Sequence, residues 1–154
     1  MRLLASTDFA LRVLMLLAAR SSGQPLSVEK LSNLLGGLSR NHLHKIVQAL
    51  ATIGLVNTVR GVGGGVVLAV APDRIRIGQL VRDLERDQAI VECFRADGGA
   101  CTLSAGCRLR GFIGNAQEDF YRRLDTHTVA DCLPQPRAAT IRNRQTRVRD
   151  GATQ

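Results

Sequence analysis

Three of the four cysteines in this chain, Cys93, Cys101 and Cys107, fall within fifteen residues, with seven and then five residues between them. Thiolates gathered this closely are typical of a soft-metal or iron–sulphur site rather than of scattered core packing. Gly98 and Gly99 lie between the first two cysteines and allow the backbone to curl around a bulky group. The pattern predicts a cluster-binding loop over residues 89–107.

Other uses of the three cysteines fit the spacing less well. A structural zinc site normally uses pairs of ligands two to four residues apart, and no such pair is present. A disulfide would leave one of the three unmatched, and the composition does not resemble a small secreted domain. An iron–sulphur cluster is therefore favoured, with zinc and redox-switch cysteines as the alternatives.

Length and charge limit the kind of protein. The 154 residues suffice for one domain with an extension, and 21 Lys and Arg against 13 Asp and Glu give a formal charge of +8. This excess favours a polyanionic partner such as nucleic acid. The apolar stretch that ends at Ala19 is interrupted by Asp8 and Arg12, so we expect no signal peptide, no membrane partner and a cytoplasmic protein. It predicts an amphipathic helix capped by Ser6 or Thr7.

Residues 27–53 have the pattern of a helix–turn–helix. Ser27 is a candidate N-cap for a short helix that Gly36 and Gly37 end, and Ser39 opens a longer amphipathic helix. The amino-terminal part of such a recognition helix normally enters the major groove of DNA. An ordinary amphipathic surface helix is the alternative. The residues expected to contact DNA are Ser39, Arg40, Asn41, His42, His44 and Lys45.

A glycine-rich tip joins two segments rich in β-branched residues, 55–59 and 66–70. Two strands behind a helix–turn–helix predict a wing, in which Arg60, Gly63 and Gly64 approach the sugar–phosphate backbone. A phosphate-cradling nucleotide loop is excluded because no Gly-Lys-Ser or Gly-Lys-Thr follows. The predicted fold is mainly α with a small β-wing: a winged helix–turn–helix domain over residues 1–88.

Residues 108–133 are expected to form a dimerisation helix followed by a short helix. An apolar stripe on the longer helix favours pairing with a second copy, the alternative being that it folds back on its own domain. Residues 134–154 carry five arginines and little apolar periodicity, which predicts a disordered basic tail. The stripe comprises Leu109, Phe112, Ile113, Ala116, Phe120 and Leu124.

Seven segments of the chain are informative in combination: Ser6–Arg12, Ser39–Leu43, Val59–Gly65, Ile75–Gly78, Val91–Phe94, Cys107–Leu109 and Thr128–Asp131. Together they resemble the iron–sulphur winged-helix transcriptional regulators, the group that includes IscR, RirA and NsrR. The resemblance covers about residues 1–133, and within the group it favours the nitric-oxide-sensing repressors. Arg110 stands where the IscR type carries a histidine ligand, which counts against an IscR-like site.

The resemblance implies a homodimeric repressor that binds double-stranded operator DNA and is not an enzyme. It implies a 4Fe–4S cluster, with 2Fe–2S as the alternative, held by Cys93, Cys101 and Cys107, and nitric oxide as the effector. Asp8 from the partner subunit matches the position of the fourth ligand in parts of the family. The alternatives are an iron-responsive regulator, which the wide first cysteine gap resembles, a zinc-binding regulator and a small iron–sulphur electron carrier.

Overall fold

The computed structural model describes residues 3–20, 23–103 and 106–134, so the predicted tail lies outside the described residues apart from Pro134. The described part contains five α-helices and one two-stranded antiparallel sheet, which confirms the predicted mainly α fold with a small wing. None of these helices is long and apolar enough to cross a membrane. The elements in chain order are α1 (Ala5–Ala18), α2 (Val28–Leu34), α3 (Arg40–Thr52), β1 (Val56–Val59), β2 (Gly65–Leu68), α4 (Ile77–Leu84) and α5 (Arg108–Leu124).

The main core lies between α1, α2, α3 and the sheet. Each helix contributes apolar residues at helical spacing, and these bury one stripe per helix against the others. Val129, from the segment after α5, joins the same core and pairs with Ile75 through a backbone hydrogen bond of 3.0 Å. The fully buried side chains of this core include Val13, Leu14, Leu26, Leu31, Leu43, Leu50, Val56, Val66 and Leu80.

The helix starts agree with the sequence at α2 and α3 and differ at α1. The Ser27 hydroxyl accepts a hydrogen bond from the Lys30 amide at 3.2 Å and so caps α2. At α1 the predicted caps Ser6 and Thr7 are wrong, because the helix begins at Ala5. Thr7 lies instead on the buried side of the helix, 1% exposed. Its methyl group suits that position, whereas its hydroxyl has no hydrogen-bond partner within the described residues.

The wing is fastened to the domain at its base. Residues of β1 and β2 pair from Val56 with Leu68 to Val59 with Gly65, so the strands are slightly shorter than predicted. Leu26 adds a bridge to Val66 through two backbone hydrogen bonds of 3.0 and 2.8 Å. A Cβ on Gly65 would overlap the Leu26 carbonyl, so this close approach requires glycine.

The carboxy-terminal half of α5 packs on α4. Tyr121 is buried in this contact, and the Arg82 guanidinium of α4 lies 4.8 Å from the centre of its ring. Arg82 also forms ion pairs with Glu118 at 2.9 Å and with Asp125 at 3.6 Å. Gly78 permits this approach, since a Cβ there would overlap the Tyr121 carbonyl oxygen.

The residues of the predicted stripe differ in exposure along α5, and pairing of this helix with a second copy stays a prediction. Leu109 and Phe112 are 59% and 60% exposed, and Ala116 is exposed as well. Tyr121, which the stripe did not include, is the buried residue of the helix. The second half of α5 folds back on its own domain, as the alternative prediction stated. The first half presents an apolar surface that the described part of this chain does not cover.

Replacing Gly78 with alanine should lower the free energy of unfolding by about 1–3 kcal/mol, the usual cost of overpacking a tight contact. Urea denaturation at a fixed protein concentration measures this change. Gly111→Ala is the matched control, because a Cβ there meets nothing within 4 Å; helix propensity should raise its stability by up to about 1 kcal/mol. Equal effects of the two substitutions would contradict the tight α4–α5 contact.

Candidate nucleic-acid interface and cysteine loop

The outward face of α3 carries a set of exposed polar side chains. Arg40, Asn41, His44 and Lys45 are all exposed, because Leu43, Ile46, Val47 and Leu50 occupy the buried face. Arg40 reaches back to Glu29 of α2 at 3.5 Å, an exposed ion pair that DNA phosphates can compete with. This face can present donors to base edges and to phosphates.

Ser39 and His42, which are also expected to contact DNA, make contacts within the protein as well. The Ser39 hydroxyl accepts a hydrogen bond from the His42 amide at 3.3 Å and caps α3. The His42 ring is half-buried and packs edge-on against Phe9 of α1, with 5.9 Å between ring centres. Direct DNA contact by these two residues stays a prediction; their visible role is to fix the start of the helix.

The tip of the wing follows directly after β1. Arg60 is exposed, and Gly61 and Gly63 adopt positive φ angles of 93° and 78° that disfavour other residues. A Cβ on Gly64 would overlap the Val59 carbonyl oxygen. The tight turn thus leaves Arg60 and the tip backbone free to approach a sugar–phosphate chain.

The cysteine loop connects α4 to α5. Cys93, Cys101 and Cys107 are half-buried, whereas Cys132 lies outside the loop and is exposed. Among the described residues, no three His, Cys, Asp or Glu side chains are close enough together to hold a metal ion. The structure thus brings the three cysteines into one loop but not to one point, and the ligand set stays a prediction.

The backbone of the loop is shaped by glycines and by local charge pairs. Gly98 and Gly99 have positive φ angles of 83° and 61°, and a Cβ on Gly99 would overlap the Glu92 carbonyl oxygen. Asp97 accepts a hydrogen bond from the Gly99 amide at 3.0 Å and pairs with Arg95 at 2.7 Å. The predicted curled backbone is therefore present between the first and second cysteines.

Phe94 holds the start of the loop against α5, a contact that was not predicted from the sequence. Its ring lies next to Gly114, with its Cζ atom 3.5 Å from the position of a Cβ on that residue. The Arg110 guanidinium lies 5.9 Å from the ring centre. An aromatic residue directly after Cys93 was the available signal, since a large apolar side chain in a polar loop usually packs on a neighbouring element.

Asp8 lies in the first turn of α1. Its carboxylate binds Arg12 of the same helix, with an ion pair of 2.8 Å and a hydrogen bond of 3.0 Å. Glu85, at the end of α4 and only 8% exposed, accepts a hydrogen bond from the Leu4 amide at 2.8 Å. This contact, which was not predicted from the sequence, connects the start of α1 to the end of α4, just before the cysteine loop.

The chemistry of this donor set suits an iron–sulphur cluster. Three half-buried thiols in a glycine-containing loop can supply the thiolates that such clusters need. Binding and ordering of the protein are coupled at metal sites, so the ligands need not be gathered beforehand. Cys93, Cys101 and Cys107 are the residues that would hold the group.

Comparison with known proteins identifies the family. Residues 3–135 match the Rrf2 family, described as iron-dependent transcriptional regulators. The chain belongs to the Rrf2 family. It is 41% identical over 133 residues to the HTH-type transcriptional regulator NsrR of Geobacillus kaustophilus, an alignment that covers 86% of this chain and 90% of that protein. NsrR of Bacillus subtilis is 38% identical over the same lengths. The chain is thus an NsrR-like transcriptional regulator by homology.

Solved structures of Rrf2 proteins share the fold. The B. subtilis global cysteine regulator CymR superposes with a TM-score of 0.68 and 25% identity, covering 86% of this chain and 95% of that one. IscR of T. potens superposes with a TM-score of 0.67 at 23% identity, covering 86% and 85%. These likenesses confirm the winged-helix architecture of this Rrf2 protein.

The ionic contacts in the cysteine loop predict a measurable titration. The Arg95 side chain, and to a smaller extent the Gly99 amide, lower the pKa of Asp97 below its ordinary value of 3.8. Asp97 then binds a proton more weakly in the folded state than in the unfolded state. The stabilisation of the loop by the ionised Asp97 carboxylate is therefore present above pH 3.8 and is lost as the pH falls through the lowered pKa. Carboxyl chemical shifts from NMR should show a midpoint below 3.8.

Arg95→Gln is the matched variant, because it removes the guanidinium and leaves the Gly99 amide in place. The midpoint for Asp97 should then move up toward the ordinary value. An unchanged midpoint would show that the Arg95–Asp97 pair is absent in solution.

Proposed function

We propose that this Rrf2 protein is a homodimeric DNA-binding repressor, dependent on an iron–sulphur cluster, that releases its operator in response to nitric oxide. The observation that carries the proposal is the position of three half-buried thiols in one loop between α4 and α5, two helices that pack on each other beside the winged-helix core. The likeness to NsrR proteins supports the choice of a DNA-binding regulator.

On the DNA side, α3 and the wing supply different contacts. Arg40 and Lys45 suit guanine edges and phosphates, and Asn41 suits adenine, so the start of α3 can read bases in the major groove. Arg60 and the glycine tip suit the sugar–phosphate backbone or the minor groove. With two copies, the recognition helices must lie about one DNA turn apart, roughly 34 Å, to read two half-sites.

On the sensing side, Cys93, Cys101 and Cys107 would hold the cluster, most simply a 4Fe–4S cluster, and Asp8 of the partner subunit would supply an oxygen ligand. When bound, the cluster supplies an iron that nitric oxide can attack, because a carboxylate holds iron less firmly than a thiolate does. Arg12 binds the same carboxylate in the present structure, so it would have to share or release Asp8.

The link between sensing and DNA binding follows from the contacts around the loop. Glu85 holds the start of α1, and Phe94 holds the loop to α5, so a change in the loop reaches both helices. The exposed apolar residues Leu109 and Phe112 of α5 offer a surface for the second copy. A coupling free energy of about 1–3 kcal/mol would change operator affinity roughly 5- to 150-fold.

Replacing Lys45 or Arg60 with alanine should weaken operator binding and reduce the slope of log affinity against log salt concentration by about one unit for each phosphate that is no longer neutralised. The visible spectrum of the loaded protein should not change, since neither residue is among the proposed ligands of the cluster. Fluorescence anisotropy over a salt series measures the slope. Arg123→Ala, an exposed cation of α5, is the control; an equal loss of affinity in that variant would refute a specific DNA face.

Replacing Cys101 with alanine should abolish iron binding and still give a folded dimer, because the core is built from helices outside the loop. Cys132→Ala, at the exposed cysteine outside the loop, should keep the cluster. In the unsubstituted protein and in Cys132→Ala, stepwise nitric oxide should lower operator affinity in parallel with the change in absorbance. Unchanged affinity after complete reaction would rule out nitric oxide sensing, and a response to iron depletion alone would favour the iron-responsive alternative.

A further inference from the structure

The tip of the wing carries an apolar side chain that the fold does not use. The relative exposure of Val62 is 111%, the highest value among the exposed large hydrophobic residues of the described part of the chain. Val62 belongs to neither of the two hydrophobic core clusters. Single exposed apolar residues are common on protein surfaces, so the surroundings of Val62 decide what its exposure means.

A tight turn holds Val62 at its apex. The Gly64 amide donates a hydrogen bond of 3.0 Å to the Gly61 carbonyl, and Gly63 has a φ angle of 78°, so residues 61–64 form a type II turn. Val62 occupies the second position of this turn, which accepts most residues and where proline is common. The turn therefore does not require an apolar side chain there. Valine has few χ1 rotamers, so it loses little freedom when it contacts a partner.

The turn and the start of α3 have a common neighbour, which is the first turn of α2. A Cβ on Gly65, directly after the turn, would lie 2.8 Å from the amide nitrogen of Ser27, the residue that caps α2. In the first turn of α2, Glu29 pairs with Arg40, the first residue of α3, at 3.5 Å. The wing tip thus lies close to the end of the helix that is expected to enter the major groove.

The charge of the wing suits DNA. Arg60 is the one charged residue between Leu55 and Ala71, so no carboxylate of this segment repels phosphates. In proteins that bind the minor groove, apolar side chains often enter it next to arginine or lysine. Deoxyribose rings line that groove and offer an apolar surface between the two phosphate backbones. Arg60 and Val62 together match this pattern.

We propose that Val62 enters the minor groove beside the bases read by α3 and makes operator affinity depend on A·T pairs at that place. The proposal rests on the DNA-binding function proposed above. A G·C pair places the N2 amino group of guanine in the minor groove, whereas an A·T pair presents only acceptor atoms there. The amino group would occupy the space that the methyl groups of Val62 need, so A·T pairs give the tighter complex.

Replacing Val62 with alanine should lower operator affinity about 3- to 15-fold, because part of the apolar contact is lost. The slope of log affinity against log salt concentration should stay the same, since an apolar contact releases no counterions, whereas Arg60→Ala should reduce it. Fluorescence anisotropy on an operator selected from random duplexes by the unsubstituted protein measures both quantities. Leu34→Ala, which shortens an exposed apolar side chain of α2, is the matched control and should keep full affinity.

Modified base pairs identify the groove. Hydroxyl radicals cleave deoxyribose from the minor groove, so the protections that Val62→Ala loses locate the contacted pairs. At those pairs, G·C in place of A·T should lower the affinity of the unsubstituted protein at least about 5-fold. Inosine·C lacks the N2 amino group and keeps the major-groove acceptors of G·C, so it should restore the affinity. Val62→Ala should distinguish the three duplexes less.

Two results would overturn the minor-groove contact: equal affinities of Val62→Ala and the unsubstituted protein, or an inosine·C duplex that binds as weakly as the G·C duplex. In either case, a loss of affinity in Lys45→Ala would leave the proposed repressor function standing. If the unsubstituted protein binds no operator, both proposals fail. Thermal denaturation should give equal midpoints for Val62→Ala and the unsubstituted protein, because Val62 lies outside both cores.

Discussion

The contact between α4 and α5 is the constraint on which the arrangement of this protein depends. Tyr121 lies buried against α4, Arg82 covers its ring and pairs with two carboxylates, and Gly78 lets the two helices approach. Val129 then returns the chain to the main core beside Ile75. As a result, the cysteine loop begins and ends on helices that pack on each other beside the winged-helix core.

The packing of α5 on α4 gives a physical basis for coupling the cysteine loop to the face of α3 that is expected to contact DNA. The loop and that face share no residues. Phe94 packs the loop on α5, and Glu85 joins the end of α4 to the start of α1. The helix α1 in turn packs on α3, with Phe9 against the half-buried His42. Contacts of this kind form a continuous set of packed elements from the cysteine loop to α3.

Much of the fold could be predicted from local sequence patterns. The caps at Ser27 and Ser39, the buried stripe of α3 and the glycine-rich wing follow from helical spacing and turn chemistry, and all appear in the structure. The sequence predictions fail where tertiary contacts decide which residues are buried. Thr7 has the residue type of a helix cap but is buried by packing. Tyr121 was not part of the predicted apolar stripe, yet it is buried in the contact with α4, where Arg82 lies over its ring. The three cysteines could be assigned to one loop from their spacing, whereas the ligand set of a cluster stays a prediction.

We propose that the state of the cysteine loop sets the affinity of this Rrf2 protein for DNA. The most direct test is to prepare the protein without oxygen, measure iron and acid-labile sulphide per chain, and determine operator affinity before and after the iron is removed. We expect a coloured, iron-containing dimer whose affinity falls severalfold when the iron is removed. A colourless, iron-free preparation that binds its operator at full strength would contradict it.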